Sequence, residues 1–228
     1  MNYDLTQGSI MKNLLKFAFP IMVGNMLQQL YNVVDTLIVG RYLGEHALAA
    51  VGSSYTLMVF VTSVILGLCM GSSAFFSMQF GGRDFDRMEK GIFIAFLSIG
   101  AVAVILNILV YAGMDGILVF LKVPYEVAPL MEEYLVWIFA GIMATFLYNF
   151  IANLLRAVGN SMVPLCFLGA SAALNIVLDI LFIKGFQWGV GGAAAATVLS
   201  QYVSGIGILL YYYAKYPQLR VRKETRRF

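Results

Sequence analysis

Two aspartates, Asp35 and Asp179, lie inside stretches that are otherwise free of charge. A carboxylate in an apolar segment is costly to keep in lipid, so it faces a protein interior or a water-filled cavity. Polar residues recur beside both at helical spacing. Gln28, Asn32 and Asp35 follow i, i+4, i+7, and Ser171, Asn175 and Asp179 follow i, i+4, i+8. Thr197, Gln201 and Ser204 make a third stripe, and Thr145, Asn149 and Asn153 a fourth. Neutral polar residues on such helices frequently do no more than staple neighbours together. An unpaired carboxylate is a poor staple, so the two acids carry the functional reading. Four polar faces turned inward would enclose a hydrated pocket with negative charge in it. A carboxylate in a partly dry cavity resists ionisation, and a second one nearby resists it further. A proton, or a hard cation such as sodium that prefers several oxygen ligands, relieves both costs.

The elements that position these residues follow from composition. Of 228 residues, 61% are hydrophobic and only 12% charged, about half the charged share usual in a soluble domain. A water-soluble core of this length would lack the polar residues to cover it, whereas lipid needs no such cover. Charge-free windows of sufficient length for ~20-residue spans recur along the chain. Backbone polar groups in lipid must be satisfied within their own segment, and the alternation of a membrane barrel strand is missing, so the spans are helices. The expected fold is an all-α membrane protein with six transmembrane helices, at about 13–40, 47–80, 91–113, 130–156, 161–183 and 190–214. Together they form one lobe over 1–216, followed by a basic cytoplasmic tail at 217–228. The first apolar stretch is longer than the core of a signal peptide and has no small-residue cleavage site after it.

With the N-terminus cytoplasmic, twelve of the fifteen Lys and Arg residues fall on the inner side, as the positive-inside rule requires. Both termini are then cytoplasmic, and Asp35 and Asp179 sit at matched depth near the outer ends of spans one and five. They precede Arg41 by six residues and Lys184 by five. Gly81-Gly82 and Gly159-Asn160 mark tight inner turns. Ile117, Leu118, Leu121 and Val123 suggest a short interfacial helix in the longest outer connection. Pro20, inside span one, removes a backbone donor and should bend the helix. Small-residue runs at Gly189–Gly192 and Ala193–Ala196 favour close helix packing.

Several function classes fall away. The net charge of +3 is too small for nucleic-acid binding. Cys69 and Cys166 have no metal spacing and read as small buried hydrophobes. One histidine, no HExxH, no GxSxG and no P-loop leave an enzyme and an ATP-driven pump without support in this chain. No cofactor is expected.

Three motifs in order resemble the multidrug and toxic compound extrusion (MATE) family. They are the opening LTQGSIMKNLLKFAFPIMVGNMLQQLYNVVDTLIVGRYLGEHALAAVG, then LLRAVGNSMVP, then LNIVLDILFIKG. The resemblance implies an inner-membrane antiporter that exports drugs or organic cations by alternating access, coupled to sodium or protons. It implies a fold of two six-helix lobes, of which this chain resembles the N-terminal one. A second lobe, or a second copy, is then the expected partner, beside the lipid bilayer and a small organic cation. The tail resembles the start of the linker between lobes. The resemblance further implies a coupling site of Asp35, Asn175, Asp179, Thr197, Tyr134 and Asn149, with sodium held by Asp35, Asn175, Asp179 and Thr197. Pro20 would be the bending proline, while Gln28, Asn32, Asn153 and Gln201 would line the cavity.

Rival readings stay open at this level. A flippase for an anionic lipid-linked precursor would need Arg or Lys in its cavity, and the charge-free windows contain none. A membrane scaffold would need no buried acids. An intramembrane enzyme would need the two carboxyls within reach of each other.

Overall fold

A computed structural model describes residues 9–219. Its elements are α-helices except for two short turns of other pitch, and the described residues contain no strand. The helices are α1 (Ile10–Leu43), α2 (Glu45–Gly81), α3 (Phe85–Ala112), α4 (Met114–Phe120), α5 (Ala128–Ala140), α6 (Ile142–Ala157), α7 (Met162–Asp179) and α8 (Gly189–Lys215). A π-helical turn, Ile180–Gly185, extends α7, and a 3₁₀ turn, Pro217–Leu219, follows α8. The basic tail expected from the sequence lies outside the described residues from position 220 onward.

Among the described residues, α2, α3, α8 and α7 with its π turn are each long and apolar enough to cross a membrane. Counting α5 and α6 together adds a fifth. The 34-residue α1 is long enough but falls outside this set. Asn25, Gln28, Gln29 and Asn32 dilute its apolar character. Among the described residues the charge-free windows fall on four apolar helices, one broken span, and one long helix with a polar stripe.

The break falls at a glycine that another helix approaches. The fourth window divides at Gly141, where α5 and α6 meet at 44°. A side chain there would come within 2.8 Å of Val198 on α8, so the glycine lets α8 approach the kink. Carbonyls freed near a kink need donors. Asn107 on α3 donates to the Phe139 carbonyl at 2.7 Å, and Tyr202 on α8 donates to that of Ala140 at 3.0 Å.

Turn chemistry ends the other helices. Asn160 N–H donates to Leu155 O and Gly159 N–H to Arg156 O, with Gly159 at φ +83°, which closes α6 in a Schellman motif. The same motif closes α2, but its left-handed residue is Arg83 rather than either glycine of the Gly81-Gly82 pair. The expected short helix in the longest connection is α4, and Ile117, Leu118, Leu121 and Val123 pack on the core.

Centrally, α8 packs on α5, α6 and α7, and its small-residue stretch is buried, with Ala194 and Ala196 fully so. Away from it, Phe76, Phe96, Phe146 and Phe150 join α2, α3 and α6 through ring centroids 5.2 to 6.0 Å apart. Two faces of the bundle therefore close differently: backbone against backbone at α8, aromatic against aromatic at α3. The side left polar lies between α1, α6, α7 and α8.

Candidate functional site

Between those four helices lies a cavity of about 130 Å³. Gln28 and Tyr31 of α1, Thr145 and Asn149 of α6, Ser171 and Asn175 of α7, and Thr197, Gln201 and Ser204 of α8 all line it. The lining is tied together across helices. Thr145 donates to Gln201 Oε1 at 2.9 Å, and Ser171 to the Ser200 carbonyl at 3.0 Å. Asn149 turns its amide back to the Thr145 carbonyl at 2.8 Å.

Asp35 and Asp179 are buried just beyond one end of this cavity, behind Tyr31, Asn175 and Thr197. Their carboxyls are within hydrogen-bonding reach of each other, across α1 and α7. Asn175 bridges the group. With its amide nitrogen toward Asp179 it donates to Oδ2 at 3.1 Å and accepts from Thr197 Oγ1 at 3.2 Å. The Tyr31 hydroxyl lies close to Thr197 and to both acids. Tyr134 of α5 is buried in the neighbourhood of Asp35, Tyr31 and Asp179. Oδ1 of each aspartate is buried without a hydrogen-bond partner. Such an oxygen costs on the order of 1–3 kcal/mol, and more when charged. Two carboxyls this close cannot both hold a full charge cheaply unless a proton or cation sits with them. The carboxylate and hydroxyl oxygens gathered here suit a hard cation as cargo. Among the described residues no group of three or more His, Cys, Asp or Glu side chains forms a metal site.

The π turn begins directly after Asp179. Turns of this pitch widen the helix and recur at functional sites. Nothing in the hydropathy pattern signals it.

Asn32 and Asn153, expected in the cavity wall, are not in the lining. Asn32 donates to Gln29 Oε1 at 3.2 Å instead, and Asn153 to the Asn149 carbonyl at 2.8 Å. Tyr31 was missed, although it stands i+3 from Gln28 and i+4 before Asp35. Its aromatic type hid it from a search for polar stripes. Pro20 is buried within α1, which runs through it as one helix.

Arg156 was missed as well. It closes the last turn of α6 and lines the cavity at the end away from the acids. The charge-free windows stop one residue short of it, so the inference that the cavity holds no arginine is corrected.

A family model described as MatE matches residues 20–181. The probable multidrug resistance protein YpnP of Bacillus subtilis is 40% identical over 209 residues, 92% of this chain and 47% of that protein. Crystal structures of MATE in the bent and the straight conformation match with TM-scores of 0.85 and 0.87 at 26% and 27% identity. They cover 96% and 97% of this chain and 50% and 49% of theirs. The chain spans about half the length of the relatives it matches.

Proposed function

The chain belongs to the MatE family, and from that premise we propose that it is the cation-coupling lobe of a drug exporter. Six spans cross the inner membrane with both termini cytoplasmic, so that Arg41 and Lys184 mark the outer end. A second six-helix lobe, or a second copy, completes a transporter that works by alternating access. The exported molecule is a drug or organic cation, in line with the relative named for multidrug resistance.

One observation carries the coupling claim. Asp35 and Asp179 are buried within reach of each other, each with an unpartnered oxygen, beside Asn175, Thr197 and Tyr31. A proton or a sodium ion entering from outside neutralises the pair and competes with a cationic drug for the same charge. Antiport follows when the two conformations differ in affinity for ion and drug. Paired carboxyls would equally suit acid–base chemistry, but the relative named for multidrug resistance favours transport.

The test is efflux from vesicles carrying the complete two-lobe protein, under imposed sodium and proton gradients in turn. Asp35→Asn and Asp179→Asn keep the size and remove the charge. Gradient-driven export should fall tenfold or more in each, about 1.4 kcal/mol of coupling, with expression unchanged. Parental response to the gradient in both variants would reject the assignment.

A further inference from the structure

The cavity is polar at both ends, with opposite sign. Just beyond one end, behind the wall, stand the acids. At the other, half-buried Arg156 forms part of the wall. Its Nε is buried and makes no hydrogen bond. The ion pairs among the described residues, His46 with Glu126 and Arg87 with Asp84, do not include it. The titratable group that acts on it is Tyr148, whose hydroxyl is already committed to the Pro164 carbonyl at 2.9 Å.

The acids are too far away to be its counter-ions. Thr145 is paired with Gln201, which fixes α6 and α8 side by side with both chains running the same way. Arg156 is eleven residues beyond Thr145, a helical rise of about 16 Å. Its side chain leans back toward the helix N-terminus and so into the cavity. The acids lie past Thr197, a further turn of α8 in the other direction. A guanidinium is charged at any physiological pH and offers five donors in a planar fork that matches a carboxylate or phosphate. Held in a cavity wall with a buried donor free and no acid beside it, it has the chemistry of an anion receptor.

We propose that Arg156 binds an oxyanion on the molecule that enters this cavity. The recognised chemistry is a carboxylate or phosphate on an organic molecule, so the lobe accepts amphoteric or acidic molecules as well as cations. The oxyanion comes either from a transported acid or from the headgroup of an anionic phospholipid. This rests on the reading of the cavity as a substrate site and adds a second, opposite charge preference to it.

The experiment uses the chain in phosphatidylcholine nanodiscs with two dyes of one skeleton. Rhodamine 110 carries a free carboxylate, and rhodamine 123 is its methyl ester. Fluorescence anisotropy gives the affinity for each. Arg156→Gln should weaken rhodamine 110 about tenfold, the loss of one charge-assisted pair, and leave rhodamine 123 within about twofold. Arg156→Lys should retain part of the preference for the acid. Adding phosphatidylglycerol distinguishes the two sources. Competition with rhodamine 110 in the parent, absent in Arg156→Gln, identifies the headgroup, and no competition identifies the soluble acid. Equal rhodamine 110 affinity in parent and Arg156→Gln overturns the proposal. So does an equal loss of both dyes with a lowered melting temperature, which would make Arg156 a structural residue. Asp35→Asn serves as the separate control. If it leaves rhodamine 123 binding unchanged, the cation reading of the acid end fails, while the acid–ester difference still reports on Arg156.

Discussion

At the scale of single residues, Thr197 is the hub of the acid cluster. Its hydroxyl bonds the Asn175 amide and lies near the Tyr31 hydroxyl. Thr197→Val keeps the shape but takes the hydroxyl from both, leaving Asn175 only the backbone N–H of that position and Asp179. Gradient-driven efflux in the complete transporter should drop about tenfold, because one change uncouples two polar groups in a site where unmade bonds are expensive. Tyr31→Phe removes only one of the two pairings, since Thr197 retains Asn175. Its loss should be smaller, about threefold, in the same assay. A larger loss for Tyr31→Phe than for Thr197→Val would mean that the tyrosine acts on the acids directly rather than through the threonine. Resemblance pointed to Asn175, Thr197 and Tyr134; in the structure Asn175 bonds both Asp179 and Thr197, and Tyr134 is buried nearby. Asn149, drawn from the same resemblance, lines the cavity about one helical turn along α6 from Thr145 and spends its amide on that residue's carbonyl.

At the scale of elements, the kink between α5 and α6 and the proline of α1 set the shape of the cavity walls. Gly141 faces Val198 of α8, so Gly141→Val would overpack the junction against Val198 and the Ile138 carbonyl. Overpacking of this kind costs about 1–3 kcal/mol, so the melting temperature of the purified protein should fall by roughly 2–10 °C. An unchanged melting temperature would show that the kink absorbs the extra volume. Pro20 acts differently, because α1 runs unbroken through it. A proline within a continuous helix removes one hydrogen bond and leaves the segment easier to bend at that point. Relatives have been solved as MATE in bent and in straight conformations. Pro20→Ala should therefore leave insertion and expression normal and impair export by the complete protein. Wild-type export would limit Pro20 to a packing role.

At the scale of the whole molecule, the bundle carries a broad apolar exterior. Phe19, Met22, Met26, Leu30, Val33 and Leu37 are exposed along α1 alone. Lipid or a second lobe would cover such a face, since water would not. Placed in nanodiscs, the chain should keep its helical circular dichroism yet show no gradient-driven dye movement. Supplying a second six-helix lobe in the same membrane should restore movement, because alternating access needs two bundles that rock against each other. Transport by the chain without that lobe, at a concentration where it is monomeric, would sink the two-bundle requirement.

The sequence by itself determined the all-α membrane class and the presence of two acids in apolar helices. Both follow from transfer free energies that each residue carries wherever it sits. It also marked the tight turn after α6, because a glycine in the left-handed region is a local requirement of the backbone. Only the tertiary structure decided which faces meet. Asn32 and Gln28 looked alike on a stripe, but the rotation of α1 against α7 and α8 put Gln28 and Tyr31 in the cavity wall and left Asn32 aside. Equal depth for Asp35 and Asp179 was readable from their distance to Arg41 and Lys184, whereas their approach to each other needed α1 to pack on α7. The break at Gly141 depends on how near Val198 comes from another helix, and the place of Arg156 in the wall depends on the register of α6 with α8. Hydropathy is a sum over residues taken one at a time, while rotation, register and kinks are set by contacts between segments far apart in the chain.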